Sequence, residues 1–271
     1  MFSIIIPTCN RNDLLSQCLD CLLPTVQTIT EQYEIIVTDD SREKIAKGLV
    51  TDKYPMARWV EGPNRGPAAN RNSGAKKAAG DWLIFIDDDC LPDKDILNQY
   101  KYGIGQNPAA FAFEGAILPD DPELLKNEMA ECPVNTQGNC FWSANICVQK
   151  KLFIEIGGFD ELFVLAALED QDLFERLKKH TNVPFLENCV VVHPVRVGSN
   201  RKRFSRLKIE FAGWIYYLKK HNDVNVKWLL LRGAKDYMKM SIKNLLKLQF
   251  KLLPLNILKS FYCFYLFITV K

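Results

Sequence analysis

The segment Asp81–Asp93, DWLIFIDDDCLPD, limits what this chain can fold into, because an apolar run stops abruptly at three consecutive carboxylates. Leu83, Ile84, Phe85 and Ile86 make the short continuous run expected of a strand covered on both faces. Asp87, Asp88 and Asp89 then fall at that strand's carboxyl end, where open α/β sheets place their ligands. Like charges this close repel, so a divalent ion is the simplest partner, and an all-oxygen cluster suits Mg²⁺ or Mn²⁺ better than zinc. The alternative is a solvated acidic turn, with Pro92 ending the strand.

Strands and helices alternate around this segment. Ser3 to Ile6 is an apolar run closed by Pro7, and Asp13 to Leu23 repeats apolar residues at helical spacing. Tyr33 to Thr38 is a second strand ending in Asp39 and Asp40, and Arg58 to Val60 a short third. An Ala-rich helix over Ala68 to Ala79 starts after Gly66 and Pro67 and stops at Gly80. Such alternation predicts an α/β protein with a mostly parallel central sheet flanked by helices. Further on, the spacing predicts a helix over Asp95 to Asn107, a strand over Ala109 to Ile117 and a polar, mobile loop over Asp120 to Asn139. A strand over Asn145 to Gln149, helices over Lys150 to Ile156 and Glu169 to Lys179, and a strand over Cys189 to Val192 ending at His193 complete this part.

Five of these segments, in order, resemble the inverting glycosyltransferases of family 2. SIIIPTCNR is similar to the family's opening strand and EIIVTDDS to its second. NRGPAANRNSGAKKAAGDWLIFIDDD is similar to its N-x-G-x-x-x-A-R-N-x-G helix and Asp-x-Asp motif, IGGFDE to its G-G-F-D-E segment and LEDQDLFERL to its E-D-x-D-L segment. The resemblance covers residues 2 to about 200. It implies a GT-A fold, with a Rossmann-like nucleotide-sugar half over residues 1–117 fused to an acceptor-binding half over 118–200. A basic amphipathic helical tail over 201–271 follows.

Such an enzyme must hold a nucleotide, neutralise a diphosphate leaving group and deprotonate a hydroxyl. Pro7, Thr8, Asp39 and Asp40 end neighbouring strands, and the resemblance implies that Asp40 accepts a hydrogen bond from the base while Thr8 lines its pocket. An acidic contact suits uracil, whose N3–H is a donor; the other reading has Asp39 and Asp40 capping a turn with Ser41. Arg71 and Asn72, in the first turn of the Ala-rich helix, either face the donor phosphates or brace the acidic strand. Asp88 is grouped with the nucleotide contacts. The resemblance further implies that Asp89 binds the ion directly, that Asp87 addresses ribose or metal, and that His193 completes the metal site; a purely structural His193 is the alternative. The resemblance makes Asp170 the catalytic base, supported by Glu169 and Asp172, and a helix N-terminus should keep it ionised at neutral pH; the alternative is an ordinary carboxylate at a helix start. Trp142 is the expected sugar platform, whereas Phe141 suits the core.

Charge divides the chain. Residues 1–200 carry 19 Lys and Arg against 29 Asp and Glu, while residues 201–271 carry 16 against 3, so the two parts meet different partners. Lysines at 235, 239, 243, 247 and 251 sweep one side of a helix, with Met238, Ile242, Leu245 and Leu246 expected mostly on the other. This helix either lies on an anionic membrane or packs with its lysines solvated. Only Ser260 to Val270 is apolar without interruption, too short a run to span about 30 Å of hydrocarbon. Nine scattered cysteines, an odd number, point to reduced thiols, with the Cys18–Cys21 pair packing in a helix. MFSIIIPTCN has no basic flank of a signal peptide, so a cytoplasmic setting follows, at the inner face of the cell membrane if the tail docks there. The reading is therefore a Mg²⁺- or Mn²⁺-dependent enzyme that moves a sugar from a nucleotide-sugar to a carbohydrate or lipid-linked acceptor, with no nucleic acid as partner. A sugar-nucleotide nucleotidyltransferase lacks its Gly-rich phosphate loop in PTCNRND, and a haloacid-dehalogenase-like phosphatase wants Thr or Val where Leu91 stands. A catalytically silent nucleotide-binding scaffold leaves the co-occurrence of Asp87, Asp89 and Asp170 without a reason.

Overall fold

A computed structural model describes residues 1–165, 167–221, 226–246 and 250–269. The chain forms two compact units, one of residues 1–120 and 133–194, the other of residues 121–132 and 195–271.

The first unit is built on strands β1 (Phe2–Thr8), β2 (Tyr33–Asp39), β3 (Ala57–Glu61), β4 (Trp82–Ile86), β5 (Leu91–Pro92) and β6 (Ala112–Pro119). Within the sheet of this unit these combine with the later strands β8 (Asn145–Gln149) and β9 (Phe185–His193) in the order β3-β2-β1-β4-β8-β6-β9-β5. The two-residue strand β7 (Ala130–Glu131) lies in the second unit. Pairing is parallel from β3 to β4 and between β6 and β9, while β8 and β5 run against their neighbours. The sheet is thus mostly parallel, with two reversals that the alternation of elements did not announce.

Successive side chains of a strand point to opposite faces, and the apolar runs supply both faces at once. Ile4, Ile6, Ile84 and Ile86 face one way and pack on α1 (Asn12–Cys21), α2 (Ala46–Lys53) and α4 (Ile96–Gln106) through Leu15, Leu19, Val50 and Tyr100. Ile5, Leu83 and Phe85 face the other way, against α3 (Pro67–Lys77), α5 (Lys150–Glu155) and α6 (Glu169–Leu177) through Ala68, Ala75, Phe153 and Leu173. This double coverage explains why these strands read as continuous apolar runs rather than as alternation. Phe141 is fully buried in the second of these layers, as expected, and Cys18 in the first.

Direction decides where chemistry can gather. Parallel β1, β2, β4, β6 and β9 all end at one edge, and antiparallel β8 begins there. Thr8, Asp39, Asp40, Asp87, His193 and the Trp142–Ser143 segment therefore share that edge. The short β5 returns from Asp89 and pairs Leu91 with Val192, which draws the acidic triplet toward His193.

The second unit contains β7 paired with β10 (Arg196–Val197), and helices α7 (Asn200–His221), α8 (Val226–Leu246) and α9 (Leu253–Thr269) around Leu207, Phe211, Ala234, Leu255 and Cys263. The stretch expected to be a mobile loop, 120–139, instead carries a 3₁₀ turn at Leu124–Lys126, strand β7 and a bridge from Asn135 to Ile117. On α8 the lysines at 235, 239 and 243 are exposed, but so are Met238, Ile242, Leu245 and Leu246. The buried side is instead Leu230, Ala234 and Ser241. Lys247 and Val270 lie outside the described residues. Among those described, no helix is long and apolar enough to cross a membrane.

Candidate active site

At the shared edge, each residue of the acidic triplet points to a different task. Asp88 is fully buried and turns inward, accepting a 2.7 Å hydrogen bond from Thr8 Oγ1 and an ion pair at 2.8 Å from Arg11. Asp87 lies 2.6 Å from Arg71 Nη2. Burial opposes its charge, yet the Arg71 guanidinium holds Asp87 below the usual carboxylate range. Asp89 accepts from Arg11 Nη1 at 3.2 Å on one oxygen, and its other oxygen lies 3.5 Å from His193 Nε2.

Asp89, Cys90 and His193 place ligand atoms within 4.8 Å of one another, so this cluster could hold a metal ion. His193 Nδ1 sits 3.0 Å from Pro194 O, a contact that puts the proton on Nδ1 and leaves the Nε2 lone pair toward Asp89. Burial lowers the His193 pKa, so the ring is neutral at pH 7, as ligation requires. Burial also pushes the Cys90 thiol well above its ordinary value. A soft sulfur suits a hard cation poorly whatever its protonation, which leaves one carboxylate and one imidazole. That donor set fits Mn²⁺ or Mg²⁺ bound partly through other oxygens better than a closed zinc site.

The second acidic segment reaches the same edge at the start of α6. Leu168, immediately before it, adopts φ 73°, a left-handed conformation that a branched side chain takes only when its surroundings over-determine it. Glu169 is buried and its Oε1 lies 3.0 Å from Arg71 Nη1. One buried guanidinium therefore holds Asp87 of β4 and Glu169 of α6 together. Asp170 accepts hydrogen bonds from Gln171 N at 2.8 Å and Ser143 N at 3.4 Å. Burial, then the charge of Glu169, pushes its pKa up to about 7, against the pull of Arg71. The expectation of an ionised Asp170 across the neutral range is thus corrected: desolvation outweighs the helix N-terminus, and the carboxyl titrates near neutrality.

Other expected contacts are spent on shaping the site. Asp39 is fully buried and caps the turn after β2, accepting from Ser41 N at 2.9 Å and Ala46 N at 3.0 Å. Like Asp88, it presents no free face to a nucleotide. Asp40 holds the loop before α3 through Asn64 N at 2.6 Å and Gly66 N at 3.0 Å. Gly66 is obligatory there, since its φ is +93° and an added Cβ would stand 2.6 Å from Val164 O. Pro7 lies buried in β1 in register with Thr38. Asn72 clamps the Gly-rich turn after α5 through Phe159 O at 2.8 Å and Glu161 Oε1 at 3.0 Å. Asp172 is buried against Arg176, whose guanidinium also donates to Ile156 O and Gly158 O. Trp142 is half-buried against the core, between Phe141 and Ser143.

Sequence reading did not single out Arg11 or Cys90, and it missed a buried hub at Glu114. This carboxylate, 1% exposed, accepts from Cys140 N at 3.1 Å, Phe141 N at 2.7 Å and Asn135 Nδ2 at 3.1 Å. It holds the irregular segment, with positive φ at Asn139 and Phe141, that carries Trp142 and Ser143 toward Asp170. A lone carboxylate inside the apolar run AFAFEGAIL was the available signal. Glu114→Ala strands several buried N–H donors, so chemical denaturation should show a loss of about 3 kcal/mol, beyond that of an ordinary surface substitution.

Residues 3–123 match the sequence profile described as Glycosyl transferase family 2, and residues 123–227 that of Glycosyltransferase like family 2. An uncharacterized glycosyltransferase of Haemophilus influenzae is 29% identical over 214 residues, covering 69% of this chain and 66% of the relative. Poly(ribitol-phosphate) beta-glucosyltransferase of Bacillus spizizenii is 36% identical over 107 residues, or 37% of this chain and 17% of that protein. The chain thus spans less than two thirds of the length of these curated relatives. Among solved structures, S. aureus TarS 1–349 in complex with UDP aligns with a TM-score of 0.58 at 18% identity, over 83% of this chain and 67% of that one. That likeness is one of fold, and the fold is GT-A. With two family profiles meeting end to end over residues 3–227, the chain belongs to glycosyltransferase family 2.

Proposed function

We propose that the chain is an inverting, metal-dependent glycosyltransferase that moves a sugar from a UDP-sugar to an acceptor hydroxyl. The observation that carries this reading is the convergence on Arg71 of Asp87, beside the Asp89–His193 pair, and Glu169, beside Asp170. Asp89 and His193 would hold Mn²⁺ or Mg²⁺; a bound cation supplies charge to offset that growing on a departing diphosphate. Asp170 removes the proton from the acceptor hydroxyl, which then attacks the anomeric carbon in a single displacement. The segment fixed by Glu114 orients Trp142 and the Ser143 amide on the acceptor side. The UDP and UDP-GlcNAc complexes of TarS support a UDP-sugar donor, and the name of the Bacillus relative, a glucosyltransferase, supports sugar transfer. A thermal-shift panel of nucleotide-sugars with and without Mn²⁺ tests the reading. Stabilisation by UDP-sugars that requires the ion supports it; a panel without response rejects it.

A base that titrates near neutrality sets the pH dependence. Asp170 must be deprotonated to act, so kcat/KM should rise with pH and level off above about 7, where the carboxyl has lost its proton. A rate that stays flat down to pH 5 would remove Asp170 as the base.

The same reading places the enzyme at the inner face of a membrane, serving a lipid-linked or growing polysaccharide acceptor. Its support is the excess of 16 Lys and Arg over 3 Asp and Glu in residues 201–271, together with the exposed Leu258, Phe261, Tyr265 and Ile268 on one face of α9. The full chain should float with anionic vesicles and not with zwitterionic ones, and Lys235→Glu/Lys239→Glu/Lys243→Glu should abolish flotation. Recovery of the wild-type chain entirely in the soluble fraction rejects the docking.

A further inference from the structure

We propose that Arg71 is a positioning residue that joins the donor side of the cleft to its acceptor side, holding Asp87 and Glu169 on one guanidinium and so shielding Asp170 from the charge of Glu169. The proposal rests on Asp170 as the base, and it assigns Arg71 a task other than phosphate contact. Both terminal nitrogens face carboxylates, at 2.6 Å and 3.0 Å, and the guanidinium carbon lies 5.6 Å over the Phe159 ring. The side chain is 3% exposed, so little of it is left for a ligand.

Partner geometry shows what the cation does. Burial opposes the charge of Glu169, and what favours it is the Arg71 guanidinium first and the amides of Glu169 and Ala167 after it, so Arg71 is the cation that neutralises this carboxylate. A buried carboxylate stripped of its cation either becomes protonated or repels the next negative charge. The next one along the chain is Asp170. The groups around Asp170 are Glu169 and the Gln171 amide on its own helix, Arg71 from α3, and Ser143 N with the Cys140 thiol from the segment before β8. Arg71 is the cation among them, and it is also the one that touches Asp87 of the acidic triplet. Capture of Asp87 by a donor would therefore be felt at Glu169 through the shared guanidinium.

The test is the titration of Asp170 in the full-length protein, followed by ¹³C NMR of carboxyl-labelled aspartate and assigned by the signal lost in Asp170→Asn. Arg71→Met should raise the Asp170 midpoint by about one unit or more, and Arg71→Lys, which keeps the charge, should recover most of that shift. Glu169→Gln should lower the midpoint, and the acid limb of kcat/KM should move in the same directions. An unmoved midpoint in Arg71→Met or in Glu169→Gln overturns the proposal. Should Arg71→Met fail to fold, Glu169→Gln decides alone. Midpoints that move as expected in a protein that turns over no nucleotide-sugar would sustain the charge coupling through Arg71 but overturn its place between a donor and an acceptor, together with the transferase reading.

Discussion

Asp170→Asn should lower sugar transfer on the order of a thousandfold, because general-base removal of a proton is worth that much and an amide cannot accept one. The substitution preserves size, and its oxygen can still accept the Gln171 amide that holds the carboxylate now at 2.8 Å. UDP affinity should therefore change by less than about threefold, which separates a chemical defect from a collapsed site. Loss in kcat with donor affinity intact is the predicted signature. A variant keeping a tenth or more of wild-type activity would show that the proton leaves by another route.

Removing the cation should have the second large effect. One carboxylate and one imidazole, Asp89 and His193, fill too few positions for a hard cation, whose remaining ligands would come from water and from donor phosphate oxygens. Binding of metal and nucleotide should then be mutually dependent, each tightening the other by the same factor. Calorimetry should find Mn²⁺ binding at least about tenfold tighter with UDP present. Asp89→Ala should abolish that gain, His193→Ala should reduce it, and chelation should stop turnover. Equal Mn²⁺ affinity with and without UDP would place the ion elsewhere or leave it without a role.

The sequence made the edge of the sheet legible and left much of its wiring hidden, for physical reasons that differ by residue. Apolar runs at Ile4–Ile6 and Leu83–Ile86 reveal strands because both faces are covered, and Gly66–Pro67 marks a helix start through backbone geometry alone. The reversed direction of β8 and β5 is a matter of long-range pairing, which local pattern does not carry. For the same reason Arg71 was open to two readings, donor phosphates or the acidic strand, and its pair with Glu169, 98 residues away, was not foreseen. Asp39 and Asp88 look like their neighbours in the sequence, yet they turn inward, because the amides after β2 and the pair Thr8 and Arg11 stand on the inner side. Asp170 shows the limit of a one-dimensional electrostatic argument: its helix N-terminus was visible, while the burial that outweighs it was not.

The proposed cation site at Asp89 and the proposed base at Asp170 should belong to one cleft, and paramagnetic relaxation tests this directly. With ¹³C-carboxyl aspartate in the full chain, saturating Mn²⁺ and UDP should broaden the Asp170 signal, Mg²⁺ and UDP should leave it sharp, and Asp89→Ala should protect it from Mn²⁺. An Asp170 signal that stays sharp with Mn²⁺ and UDP bound would separate ion from base and contradict the account.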